Sequence, residues 1–119
     1  MKTLTLSALV LVCCWTSAHA ATSSAAFDGS WDLVFITKSG ACDSTYNFTV
    51  NVSNGRVTHP SLVRFRGNVQ SSGSIRASVS VQDKYASGFG RLFGSSGMGI
   101  WSGRSGSARC VGHWTAQRS

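Results

Sequence analysis

The chain contains no glutamate, and its acids are Asp28, Asp32, Asp43 and Asp83 alone. So few carboxylates leave little material for the paired acid and base of a glycosidase. Among 119 residues there is one proline, Pro60. No segment shows the apolar period of an amphipathic helix, which argues against helical bundles and α/β folds. The histidines are His19, His59 and His113, and their spacing matches no metal motif. No apolar run reaches the roughly 20 residues that a membrane-spanning helix takes. The glycines fall inside alternating segments and turns, not between a strand and a helix, so a phosphate-cradling loop is not expected.

At the N-terminus Met1-Lys2-Thr3 supplies a positive start, and Leu4 to Trp15 is uncharged and apolar. Ala18-His19-Ala20 then fits the small-x-small site of signal peptidase. The pattern predicts a signal peptide over 1–20, a mobile polar lead-in over 21–26, and one domain over 27–119. No transmembrane segment is expected in the mature chain, and the address is secreted or periplasmic. Of the four cysteines, Cys13 and Cys14 leave with the leader. Cys42 and Cys110 remain as an even pair in an exported chain, which predicts a disulfide. A chain of this size gains from such a crosslink, because its core is modest.

The formal net charge is +7, and eight of the eleven basic residues are arginine. Such an excess favours acidic partners: anionic headgroups, acidic polysaccharide or nucleic acid. Only Arg64 and Arg66 form a close pair, so the spacing predicts single cations scattered over outer strand faces. Specific nucleic-acid recognition, which clusters basic residues on one face, is not expected.

From Phe27 onward the chain alternates. Trp31, Leu33 and Phe35 share one face of the first segment. Asp32, Val34 and Ile36 share the other, apolar enough at Val34 and Ile36 to suggest a protein contact. Tyr46, Phe48, Val50 and Val52 alternate with Asn47, Thr49 and Asn51. Asn54-Gly55 follows, a strong hairpin signal because both residues accept positive φ. Arg56 to His59 reads as the return strand, stopped by Pro60. Further segments cover Val63 to Val69, Ile75 to Val81, Tyr85 to Phe93, Met98 to Gly103 and Ala108 to Gln117. About eight short strands at near-regular spacing predict an all-β, antiparallel up-and-down barrel, with a β-sandwich as the alternative. The cysteines favour closure, since Cys42 follows the first strand and Cys110 lies in the last.

Gly29-Ser30-Trp31 resembles the Gly-x-Trp that opens the lipocalin and avidin-like (calycin) barrels. That resemblance covers one tripeptide and the strand count. It implies that Trp31 plugs one end of the barrel and packs against an arginine of the last strand, Arg118 or Arg109. In size, export, strand count and single disulfide the chain is also similar to periplasmic metalloprotease-inhibitor barrels. There the N-terminal tail enters the protease cleft, and Ala21 to Ala26 is the comparable segment. Phe27-Asp28-Gly29-x-Trp31, the following Cys42 and Asn54-Gly55-Arg56-Val57 resemble small exported bacterial proteins of unassigned function.

No catalytic set emerges, and no cofactor or metal is expected. Asp28 and Asp32 read as turn-capping residues, and His113 as an outward strand residue. Trp31, Tyr46, Phe48, Phe89, Trp101 and Trp114 read first as core, in a barrel whose interior is filled. Trp31, Trp101, Trp114 and Arg118 are the candidates for a ligand site or barrel plug. The expected function is therefore non-enzymatic binding of a small ligand or a protein. The alternatives are inhibition of a secreted protease and a basic, envelope-associated structural role. The leader makes its own prediction: mass spectrometry of the exported protein should find Ala21 as the first residue. Retention of Cys13 and Cys14 would contradict it and favour a lipoprotein anchored through one of them.

Overall fold

The computed structural model describes Thr3, residues 24–62 and residues 64–119. The predicted signal peptide, the start of the lead-in (21–23) and Val63 lie outside the described residues, apart from Thr3. The described chain is a closed, eight-stranded, antiparallel up-and-down barrel. The strands are β1 (Gly29–Ser39), β2 (Thr45–Ser53), β3 (Arg56–Thr58), β4 (Phe65–Val69), β5 (Ser74–Val81), β6 (Lys84–Phe93), β7 (Ser96–Ser105) and β8 (Ala108–Arg118). Each pairs with the next, and β8 returns to pair with β1. A single turn of 3-10 helix, Ser24–Phe27, precedes β1.

Alternation dictates which residues face inward, because successive side chains point to opposite sides of a sheet. The buried set includes Trp31 and Leu33 of β1, Val50 and Val52 of β2, and Val57 of β3. Phe65, Val69, Ile75, Leu92, Trp101, Cys110, Trp114 and Ala116 complete the interior from the later strands. The Asn54-Gly55 turn has φ of 50° and 76°, as the hairpin requires. Asp28 fastens this turn from outside: the Asn54 amide donates to its Oδ1 at 2.8 Å. Asp32 lies on the outer wall and accepts a bond from the Thr49 hydroxyl at 2.9 Å.

β1 runs on through Lys38 to Ser39, with a register shift against β8 between Thr37 and Ser39. Two local expectations are corrected. β3 stops at Thr58, one residue before His59. The reason is side-chain competition: His59 Nδ1 accepts from the amides of Ser61 and Leu62, both at 3.1 Å, and turns the chain. Phe89 is not core. It lies on the outer wall, 54% exposed, because its neighbours Gly88 and Gly90 take the inward positions.

Those glycines are explained by Trp114. A Cβ on Gly99 would stand 2.5 Å from Trp114 Cε2, and one on Gly90 would stand 2.7 Å from Cζ2. The Nε1, Cε2 and Cζ2 edge of the indole lies against a bare patch of backbone that β6 and β7 provide. The same pairing of large with absent side chains recurs at Gly112, where a Cβ would stand 2.8 Å from Trp101 Nε1. Interiors fill to high density, so bulky rings in a narrow barrel demand such gaps opposite them.

Cys42, between β1 and β2, is bonded to Cys110 of β8, with Cα atoms 6.1 Å apart. The bridge spans a sequence separation of 68 and ties the first and last strands on the side opposite the 3-10 turn. Closing a loop of that length stabilises by roughly 4 kcal/mol on the chain-entropy account. Reduction should therefore shift the urea midpoint downward while the far-ultraviolet circular dichroism stays that of a β-protein. An unchanged midpoint would show that the strands alone hold the closure.

Candidate functional site

The two ends of the barrel are built differently. At the closed end, Phe27 and Trp31 are buried, and the Trp31 indole donates to the Phe27 carbonyl at 2.8 Å. The Arg118 guanidinium lies over the Trp31 ring, 4.9 Å from its centroid. It donates to three backbone carbonyls: Gly94 at 2.8 Å, Ala26 at 3.1 Å and Asp28 at 3.3 Å. These carbonyls belong to the β6–β7 turn and to the segment entering β1, so one side chain of β8 gathers two other parts of the chain. Residues 24–27 are thereby held to the barrel end. Of the two arginines named from sequence, Arg118 occupies this position. Arg109 starts β8 at the other end and is exposed.

The open end is where the β1–β2 loop, the β3–β4 loop and the β5–β6 and β7–β8 turns meet. Here the inward positions of one wall are small: Val79 pairs with Ala86, Ala86 with Gly103, and Gly103 with Cys110. The facing wall carries Phe35, Tyr46 and Phe48, and Trp101 of β7 reaches them from beside Gly103. The space between them is a pocket of about 310 Å³. A pocket that size stands at the lower bound of those that take small ligands. Leu62, Val79, Val81 and Cys42 complete the apolar lining, and Lys84 and Arg104 also line it. The expectation of a filled interior therefore holds for the closed half and is corrected for the open half.

The aromatic lining is mutually braced. Phe35 meets Phe48 edge-on at 5.5 Å and Trp101 at 6.1 Å, and Tyr46 meets Trp101 at 6.4 Å. Edge-to-face pairs of this kind hold rings in fixed orientations. The Trp101 indole donates to the Ile36 carbonyl at 3.2 Å, and the Tyr46 hydroxyl accepts from the Asp43 amide at 3.1 Å. His59 packs beside the same cluster, 6.3 Å from Phe48 and 6.1 Å from Phe65. By accepting from the Leu62 amide it sets the lip on which Leu62 sits.

The four residues named as ligand or plug candidates thus separate. Trp31 and Arg118 form the plug, Trp101 lines the pocket, and Trp114 lies deeper, on a narrow apolar seam below it. Val34 and Ile36 are on the outer wall, half-buried by neighbours. Phe35, Tyr46, Phe48, Leu62, Lys84 and Arg104 were not singled out as a site. Their alternation marked most of them as inward, but only the loops determine which end stays open. Among the described residues no three of His, Cys, Asp and Glu come together. No family model matches the chain, and neither curated proteins nor solved structures give a match.

The plug generates a test. A lysine at 118 keeps the charge but cannot fork to three carbonyls while lying flat on an indole. Arg118→Lys should lower stability by about 1–3 kcal/mol in urea denaturation, given the usual cost of losing charge-assisted hydrogen bonds. A loss under about 0.5 kcal/mol, the range of ordinary surface changes, would mean that the clasp carries no weight.

Proposed function

We propose that the protein is an exported, non-enzymatic binding module that takes a small apolar ligand into the open end of its barrel. The observation carrying this reading is the pocket of about 310 Å³ walled by Phe35, Tyr46, Phe48 and Trp101. Its lining is apolar, so burial of an apolar ligand drives binding at roughly 25 cal/mol per Å² removed from water, before the costs of association. Lys84 and Arg104 at the same pocket favour a ligand with an anionic end, which stays near solvent while its apolar part enters. The calycin resemblance of Gly29-Ser30-Trp31 agrees with a barrel plugged at one end and receptive at the other. The Cys42–Cys110 disulfide is compatible with an oxidising compartment. Among the described residues no helix is long and apolar enough to cross a membrane.

The protease-inhibitor reading needs an N-terminal tail that leaves the barrel for a protease cleft. The described part of that segment is instead engaged with Arg118, so the pocket reading is preferred. The proposal is tested by titrating the oxidised protein with decanoate and with decyltrimethylammonium, following Trp fluorescence and heat. Decanoate should bind with the higher affinity. Ala86→Phe, which fills the pocket from its small wall, should weaken decanoate binding by about tenfold or more, or about 1.4 kcal/mol. Val79→Phe is the second filling variant, in case the first unfolds. Equal affinity in both folded variants and the parent would refute the pocket as the site.

A further inference from the structure

The barrel register assembles a surface that the linear sequence disperses. One continuous row of cross-strand partners runs round the outer wall from β3 to β1: Arg56, Asn68, Arg76, Phe89, Ile100, His113 and Ile36. A neighbouring row on the plug side runs from Ser74 through Arg91, Met98 and Thr115 to Val34. On the other side Arg66 pairs with Ser78, and Ser78 with Ser87. The first two rows begin basic or polar and end largely apolar, and the third stays polar through Ser102. Arg56, Arg66, Arg76 and Arg91 are all exposed. No acid belongs to any of these rows: Asp28 precedes β1, Asp32 lies nearer the plug, and Asp43 and Asp83 lie in open-end connections. The expectation of singly scattered cations is thereby corrected. Arg56, Arg66 and Arg76 look isolated because a hairpin strand separates them in sequence, and antiparallel pairing returns them to one face.

We infer that this wall, from β3 across to β7, docks on an anionic lipid bilayer surface. One observation chooses a membrane over a soluble acidic polymer, and a second fits its headgroup. Phe89, Met98 and Ile100 are 54%, 58% and 53% exposed, immediately beside Arg76 and Arg91. A polysaccharide or nucleic-acid backbone offers Ile and Met nothing apolar to enter, whereas the headgroup and acyl boundary does. Large apolar side chains left in water beside unneutralised cations are the composition of an interfacial contact. Second, a shallow groove of about 310 Å³ opens on this wall between Arg66, Asn68, Arg76, Ser78, Ser87 and Phe89. Its guanidinium and hydroxyl donors suit a headgroup phosphate. The contact is one-sided and does not span. A spanning barrel needs an apolar band around its whole circumference. Here Asn47, Thr49 and Asn51 are exposed on the outer face of β2.

The test is co-sedimentation of the mature, oxidised chain (residues 21–119) with vesicles of phosphatidylglycerol and phosphatidylcholine, against phosphatidylcholine alone. Binding should require the anionic lipid and fall as salt rises. Arg66→Gln/Arg76→Gln/Arg91→Gln should weaken it by about tenfold or more. Lys38→Gln/Asn47→Asp/Arg109→Gln lowers the charge by the same three units away from this wall and should cost less than about threefold if location, not net charge, matters. Phe89→Ser/Ile100→Ser should weaken binding by about fivefold or more with unchanged thermal unfolding. Equal losses in the two charge triples, or no loss in the first, would overturn the inference. So would binding to heparin that the first triple abolishes while vesicles are ignored, which would assign the face to a soluble polyanion.

Discussion

Everything in this barrel depends on β8 finding β1. An up-and-down sheet of eight strands is an open ribbon until its two edges pair, and an open edge exposes a row of unsatisfied amides and carbonyls. The chain fastens that seam at both ends by different means. Arg118 sits opposite Trp31 in the register and lies over its ring. Cys110, eight positions earlier on β8, is bonded to Cys42 in the connection leaving β1. A cation over an indole contributes about 0.5–2 kcal/mol depending on desolvation, and the disulfide acts chiefly by restricting the unfolded chain. One fastening is electrostatic and the other is covalent, so they respond to different conditions.

Closure around three inward tryptophans forces the rest of the packing. A narrow barrel cannot hold Trp101 and Trp114 and also carry side chains against them, so β6 and β7 present Gly88, Gly90 and Gly99 inward. That concession has two consequences on opposite sides of the wall. Inside, the small positions extend to Ala86 and Gly103, beyond the reach of Trp114, and leave the open-end pocket unfilled. Outside, the alternate positions between the glycines receive Phe89, Met98 and Ile100, whose apolar surface has nowhere inward to go. The pocket and the apolar outer face are products of one alternation.

The sequence made much of this legible. Period-two alternation located nearly every strand, Asn54-Gly55 marked its turn, and Cys42 with Cys110 pointed to closure. The local signal failed where a longer-range partner decided the outcome. Phe89 is as apolar as any core residue, and only the indole of Trp114 across the barrel shows why its glycine neighbours face inward instead. His59 looked like the end of a strand, but its ring nitrogen takes two amides and turns the chain early. The basic face was invisible because charge was judged by spacing along the chain. Residues 66 and 76 are neighbours across a hairpin, through Asn68 and Ser78, and no linear window joins them. The open end was hidden for a related reason: which end a barrel leaves unplugged depends on where the loops fall, not on the period of its strands.

The same alternation separates the two proposed binding surfaces cleanly. On β6, Ala86 points into the pocket while Phe89 and Arg91 point outward, although the three lie within six consecutive residues. A substitution on one parity leaves the backbone of the other in place, since the ladder bonds on both sides are main-chain. Coupling between the surfaces is therefore confined to the strand backbone and to the ends of the barrel. Lys84 and Tyr85 are the place where it concentrates, since both line the pocket at the start of the strand that carries Phe89 onto the outer wall. A ligand with an anionic end held by Lys84 would draw that cation toward the mouth. The arginines from 56 to 91 lie on other rows and keep their charge whether or not the pocket is filled.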